Sequence, residues 1–487
     1  MDTTIIAEPI TSPMDTFFVP EVQDRQWELP LQDFFSWNFE VWETEIQFID
    51  QAPTLNTEDL VPDTTSHANH AHLGVIEPSS IPVSTISDHE LAQHYIRNLT
   101  SLYSSKNPGW NFHTYFFNRF SSKYPFVMAA LYAWTAAHLF CQEYLASPAN
   151  SMTHYQKTTL ELKERFSIDV VNRLDIGVSS FATNQDDLDA IAVSLYFLAS
   201  TDLILSRPER LRNLLEVEAG ILRARPLNGP DSVFTKIATW FCFLDARMST
   251  FGRDHDRVIQ TVGGEMGMLA ALHESEHFLQ NEYKRLYPLE ERRRDAAHLP
   301  LYKATCRLVV LWGCISRFYG NNGDVTLKST VRNSLDDIQH FLNKASEAKA
   351  AEDDVLSIFF TTSTLYHALE IYYSRAVDPE APLYTADHHA TSIIRTTDRY
   401  YQALSRPRKE PPPTKVWPLP LVMAAIEAND SIYRGWAVQR IREYEHAGKH
   451  YANSSRFVET VFFQEQGSRR RTDLAAAAES MGDDFVI

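Results

Sequence analysis

The chain has few cysteines, no strand-like alternation and no membrane-length apolar run. Its four cysteines, Cys141, Cys242, Cys306 and Cys314, lie far apart, and no two stand at Cys-x-x-Cys spacing. A binuclear zinc cluster needs six cysteines in a short span, so the sequence contains no such cluster, and there is no disulfide framework either. Buried thiols in a reducing compartment are expected. The first residues lack the basic-then-apolar layout of a signal peptide. The most apolar run, Phe126 to Cys141, is shorter than a bilayer span and carries Thr135 and His138. These absences predict a soluble intracellular chain with no membrane partner. No stretch alternates apolar and polar residues as a half-buried strand does, and no internal repeat stands out.

Basic charge is scarce at one end. Residues 1–90 hold 17 Asp and Glu against a single base, Arg25, which accounts for −16 of the formal net charge of −18. The remainder is nearly balanced, with 46 acids and 44 bases. An acidic arm repels nucleic acid and favours basic or amphipathic protein partners. Residues 1–86 carry prolines at 9, 13, 20, 30, 53, 62, 78 and 82 and show no helical period, so most of this stretch is expected to be disordered. Between Phe17 and Ile49, bulky apolar residues are interleaved with acids. Phe34, Phe35, Trp37, Phe39 and Trp42 are the candidate partner-binding residues, kept from collapse by the charges among them. That pattern suits an acidic activation segment that folds on a coactivator as a short amphipathic helix. The same residues equally suit a lid over the chain's own helical part.

From Ser87 the pattern becomes helical. Ser87-Asp88-His89-Glu90 reads as a capping box, followed by Leu91, Tyr95, Leu99 and Leu102 at helical spacing. An Asn107-Pro108 break and an aromatic loop precede Tyr124–Leu139, with Pro125 in its first turn. Further helices are predicted over 154–166, 186–205, 210–225, 234–251, 301–319, 331–349, 354–377 and 386–404. Asp245, on an apolar helix, needs a partner and is read as structural, with Arg247 as one candidate. The charged run 290–295 reads as a solvated surface or loop. Residues 466–487, with Arg469–Arg471 and an Ala run, read as a flexible tail whose three bases would give weak support to a nuclear import signal.

One short motif has catalytic form. His273-Glu274-Ser275-Glu276-His277 matches H-E-x-x-H, in which two histidines on one helix face bind zinc and the Glu acts as base. A zinc-dependent hydrolase using His273 and His277 is therefore an alternative reading. Glu276 places a charge inside the motif, and no third histidine follows at the spacing of the longer form. No catalytic residue, cofactor or metal is assigned.

The strongest pattern lies near the far end, Trp417 to Trp436, WPLPLVMAAIEANDSIYRGW. It follows Pro411, Pro412 and Pro413. Pro418 and Pro420 suit the first turn of a helix, and Leu421 to Ile426 are apolar without interruption. A helix apolar on nearly all sides belongs in a core. The Trp-Pro-Leu start, the Glu427-Ala428 pair, Asp430, Arg434 and Trp436 resemble the C-terminal signature of a fungal-specific transcription factor domain. The Ala-rich helix ending Ala-Ala-His-Leu, the aromatic-then-Leu-Asp helix around Asp245 and the Tyr366-His367 helix resemble earlier segments of that family. The resemblance covers roughly 88–465. It implies an all-α regulatory domain over 87–465, a non-enzymatic regulator of transcription and a nuclear location. It also implies control of a fungal pathway such as a secondary-metabolite gene cluster. A small-molecule-responsive helical sensor is a further alternative, since all-α domains of this size often hold apolar cavities, though no residue identifies a ligand. Since the family's usual zinc cluster is missing from this sequence, two expectations stand. Either promoter contact runs through a DNA-bound partner or coactivators, with weak direct DNA binding, or an N-terminal exon lies outside the gene model.

Overall fold

Pro418 to Glu427 form a helix in which all ten residues are buried, and the helices around it define the C-terminal half of the fold. The computed structural model describes residues 87–100, 104, 106–146, 160–161, 185–225, 233–253, 257–319, 325–347, 353–404, 418–482 and 485–487. Apart from Glu347, these fall in one compact unit. Every regular element among the described residues is helical, as expected for an all-α chain.

The longer helices, in chain order, are α1 (Asp88–His94), α2 (Pro125–Ala146), α3 (Gln185–Ile204), α4 (Pro208–Ala224), α5 (Val233–Met248), α6 (Gly264–Ser275), α7 (Leu289–Ser316), α8 (Val325–Glu347), α9 (Asp353–Val377), α10 (Asp387–Leu404), α11 (Pro418–Glu427), α12 (Ser431–Glu443), α13 (Lys449–Ser468) and α14 (Leu474–Ser480). Shorter turns are named by their residues. No helix among the described residues is long and apolar enough to cross a membrane.

Local chemistry sets several boundaries. Ser87 and Glu90 form the reciprocal capping box that opens α1. Asn107 and Asn111 cap the turn Pro108–Trp110 and the short helix Phe112–Phe116 through their side-chain oxygens. Pro208 occupies the first turn of α4, where its missing N–H costs nothing. α8 shows the pattern of a surface helix: Val331, Leu335, Ile338 and Leu342 form its buried stripe. α11 has no polar face at all. Fully burying Leu421, Val422, Met423 and Ile426 is worth about 1.5–3 kcal/mol each before entropy is counted.

In the N-terminal half, α2 packs along α3, and α3 packs on α4 and α5. Trp134 stacks on Phe197 at 5.5 Å, and Trp240 stacks on His113 at 5.3 Å beneath the aromatic turn. In the C-terminal half, α7 lies along α9, and α9, α10, α12 and α13 all contact α11. Contacts of α5 with α7, and of α2 with the turn Glu445–Ala447, are among those that link the two halves.

Three expectations change. The run 290–295 is not a loop but the opening turns of α7, which has Pro300 inside it. An internal proline removes one helical hydrogen bond, and the long flanking turns tolerate that loss. Glu291 turns inward, 4% exposed, and pairs with Arg294; Asp295 pairs with Lys106 at 2.5 Å. The described residues of 466–487 are not a frayed tail. Asp473 caps α14, Leu474, Ala477 and Ala478 are buried, and Phe485 stacks on Phe457 at 5.0 Å. Arg253 donates to the carbonyls of Phe485 and Gly482, and Arg247 donates to that of Ile487. Finally, Asp245 accepts from the Ile259 amide at 2.9 Å, while the Arg247 guanidinium turns to Ile487. The helix predicted over 154–166 lies outside the described residues except for Leu160 and Glu161, which are helical.

Candidate functional site

Glu427, the last residue of α11, sits in a buried cluster of four charges. Its carboxylate accepts from Arg375 Nε of α9 at 2.9 Å, from Arg471 Nη2 at 2.7 Å and from the Ala386 amide at 3.0 Å. Arg375 Nη1 also donates to Glu465 of α13 at 2.8 Å, and Glu465 accepts from the Thr472 amide at 3.0 Å. The four side chains are 0–4% exposed. Two arginines and two glutamates cancel, which is what makes burial of four charges tolerable. Burial alone would lower the Arg375 pKa, but Glu427 and Glu465 outweigh it and hold the guanidinium firmly protonated.

The other polar residues of the signature also have fixed partners. Asp430 accepts from the Ile432 amide and caps α12. Arg434 donates to the Ala428 carbonyl at 2.8 Å and lies over the rings of Phe462 and Tyr384. Arg440 lies 5.2 Å from the Trp436 ring. Trp417 lies outside the described residues. The signature thus encodes a joint between α9, α11, α13 and the segment after α13.

The structure separates the catalytic lookalike. α6 ends at Ser275, and His277 has φ −99° and ψ 4° outside it, so His273 and His277 do not share a helix face. Both instead approach Glu276 Oε1, at 3.2 and 3.1 Å, and both side chains are largely exposed. Among the described residues, no group of three or more His, Cys, Asp and Glu is placed to hold a metal ion. Phe34, Phe35, Trp37, Phe39 and Trp42 lie outside the described residues.

Several buried titratable groups, or the pairs they form, are not legible in the sequence. Glu218 on α4 is fully buried with neither carboxyl oxygen hydrogen-bonded, and burial pushes its pKa up to about 8. Two histidine pairs, His94–His138 at 3.0 Å and His367–His389 at 2.9 Å, are held neutral by burial, with pKa values between about 3 and about 4. Only the register of Glu218 with Leu211, Leu215 and Leu222 on the buried face of α4 could have revealed its burial. A cleft of about 470 Å³ lies beside α6, lined in part by Leu222, Val262, Ala271 and Glu274.

What these observations define is a large helical scaffold whose most distinctive polar cluster joins α9, α11, α13 and the segment after α13. The sequence model of the fungal specific transcription factor domain matches residues 90–462, and the chain belongs to that family. It is therefore a regulator of transcription in its general class. No curated protein and no solved structure matches the chain.

Proposed function

We propose that the chain regulates a fungal pathway, of the secondary-metabolite gene-cluster kind, from the nucleus and through protein partners. The family match over 90–462 carries the general reading. Two sequence features support the finer one. The acidic arm, with Phe34, Phe35, Trp37, Phe39 and Trp42 among its charges, has the composition of a coactivator-binding segment. The near-neutral remainder supplies no basic excess for neutralising phosphates, so promoter contact runs through a DNA-bound partner. Control by a small effector fits a helical domain of this size. The buried charge lock formed by Arg375, Glu427, Glu465 and Arg471, and the exposed, separated His273 and His277, fit a non-enzymatic role.

The test is chromatin crosslinking of the tagged chain in its own cell, paired with a reporter driven by residues 1–90 fused to an unrelated DNA-binding domain. Enrichment at a few promoters, and reporter activity that falls at least about fivefold when the five aromatics become alanine, are the expected results, since a few aromatic anchors carry most of such binding. A cytosolic protein with no enriched promoter would overturn the reading. Reporter activity indifferent to the five substitutions would remove the arm from it.

A further inference from the structure

Glu274, the acid of the H-E-x-x-H run, lines the cleft beside α6. One wall of the cleft is α6 itself, where Gly267, Ala270, Ala271 and Glu274 recur at the three- and four-residue spacing of a single helix face. Leu222 and Arg223 at the end of α4, and Val262 of the short helix Arg257–Val262, line it as well. Gly263 and Gly264, with φ 101° and 65°, join that short helix to α6. Gly267 lets the two helices approach, since a Cβ there would run into the Val262 carbonyl oxygen. The volume of about 470 Å³ is of the size that takes a small organic molecule.

The acids of this region are engaged, with one exception. Glu216 is held by Arg223 at 3.0 Å and by Arg257 at 2.8 Å, Glu265 by Arg307 at 2.9 Å, and Glu276 by both histidines of the run. Glu274 is the exception: its Oε2 is closed off from solvent, and no donor among the described residues reaches it. A carboxylate oxygen taken from water without a donor is costly, and a charged donor recovers the most. Arg223 is a cation on the cleft, but it and Glu216 are about half exposed, so solvent screens that pair while the Glu274 oxygen is sheltered. The other side chains that line the cleft include the apolar Leu222, Val262, Ala270 and Ala271.

We propose that this cleft binds small organic ammonium ions with an apolar body. The ammonium donates to the Glu274 carboxylate, and the body covers Leu222, Val262 and Ala271. A ligand seated there touches both helices that the Gly263–Gly264 joint connects, and so fixes the angle between them. α6 also packs on α5 and α7, so that angle bears on one of the contacts between the two halves of the fold. As a route for effector control the cleft rests on the regulator reading; the binding chemistry does not.

Isothermal titration calorimetry of the full chain compares hexylammonium, hexanol and hexanoate, which share a body and differ in charge. Hexylammonium is expected to bind at least about tenfold tighter than either, the discrimination that a hydrogen bond to a charged group provides. Glu274→Gln should remove that preference and leave the weaker hexanol affinity unchanged. Ala270→Leu, at an exposed position, should fill the cleft and weaken hexylammonium by a similar factor. Both variants should keep the parent's melting temperature. Equal affinity for the three, a preference for hexanoate, or hexylammonium binding untouched by Glu274→Gln overturns the proposal, as does the absence of binding by all three. Binding is read on the purified chain, so its failure is distinct from a failure of promoter enrichment.

Discussion

Replacing Arg471 by methionine would leave Glu427 and Glu465 sharing only Arg375, a net charge of −1 in a site whose members are 0–4% exposed. The methionine keeps much of the side-chain volume, so packing is a minor term. Removing one partner of a buried ion pair costs about 3–5 kcal/mol, because the remaining charge is left without compensation. Glu427→Gln has the converse effect, leaving two arginines with one glutamate. The double variant restores neutrality, so it should cost less than the sum of the singles, with a coupling of about 2 kcal/mol or more. Urea unfolding of the four proteins, followed by circular dichroism and tryptophan fluorescence, measures the cycle. Limited proteolysis adds a local readout: Arg471→Met should expose the segment from Arg469 onward to trypsin before the rest unfolds. Two single variants each within about 0.5 kcal/mol of the parent, with additive effects, would refute the lock as described.

Two further outcomes follow from buried groups. Phe485→Ala removes a ring stacked on Phe457 at 5.0 Å and on Phe251 at 6.4 Å, and should cost about 3–5 kcal/mol in the same unfolding assay; a loss below about 1 kcal/mol would mean the terminal segment is not docked. Glu218 has a folded pKa of about 8, above its unfolded value, so its protonated form favours the fold. Its contribution is fully present below about pH 4.3 and is lost as the pH rises to about 8, a fall of order 5 kcal/mol. Glu218→Gln should flatten that slope and be the more stable protein at pH 8; parallel pH–stability curves for the two would sink the assignment.

Much of this fold was legible because its boundaries are made by local chemistry. The Ser87–Glu90 box, Pro125 and the apolar run of α11 each act within a turn or two of sequence, and each appears where expected. The run 290–295 was only partly legible: Glu290, Arg292 and Arg293 are exposed as expected, but the helix and its inward-facing residues were not foreseen, because their destination is not local. Glu291 and Asp295 look solvated in sequence, but their helix turns them inward toward Arg294 and Lys106, the latter 189 residues earlier in the chain. The terminal segment failed for a related reason. A short Ala run has little helix-forming strength alone, and its stability comes from Asp473 at the cap and from Phe457 and Phe251 beneath Phe485. The signature residues were legible as a pattern, but not their pairing. Glu427 gives no sign of which arginines it will meet, and the two it meets come from before and after it in the chain.

Phe251 adopts φ 61°, a left-handed conformation that costs a bulky residue roughly 1–2 kcal/mol, and its ring is sandwiched near Phe457, Phe485 and Tyr372. That sandwich and the charge lock are both completed by residues beyond 462, where the family match stops. A fragment trimmed to that limit would lack Glu465, Arg471 and Phe485 together. It would present a bare aromatic face and an uncovered Arg375–Glu427 pair to solvent, with the stickiness that exposed rings bring. Interaction screens run on such a fragment would collect partners of an opened wound, whereas a chain carried through Ile487 keeps that face covered.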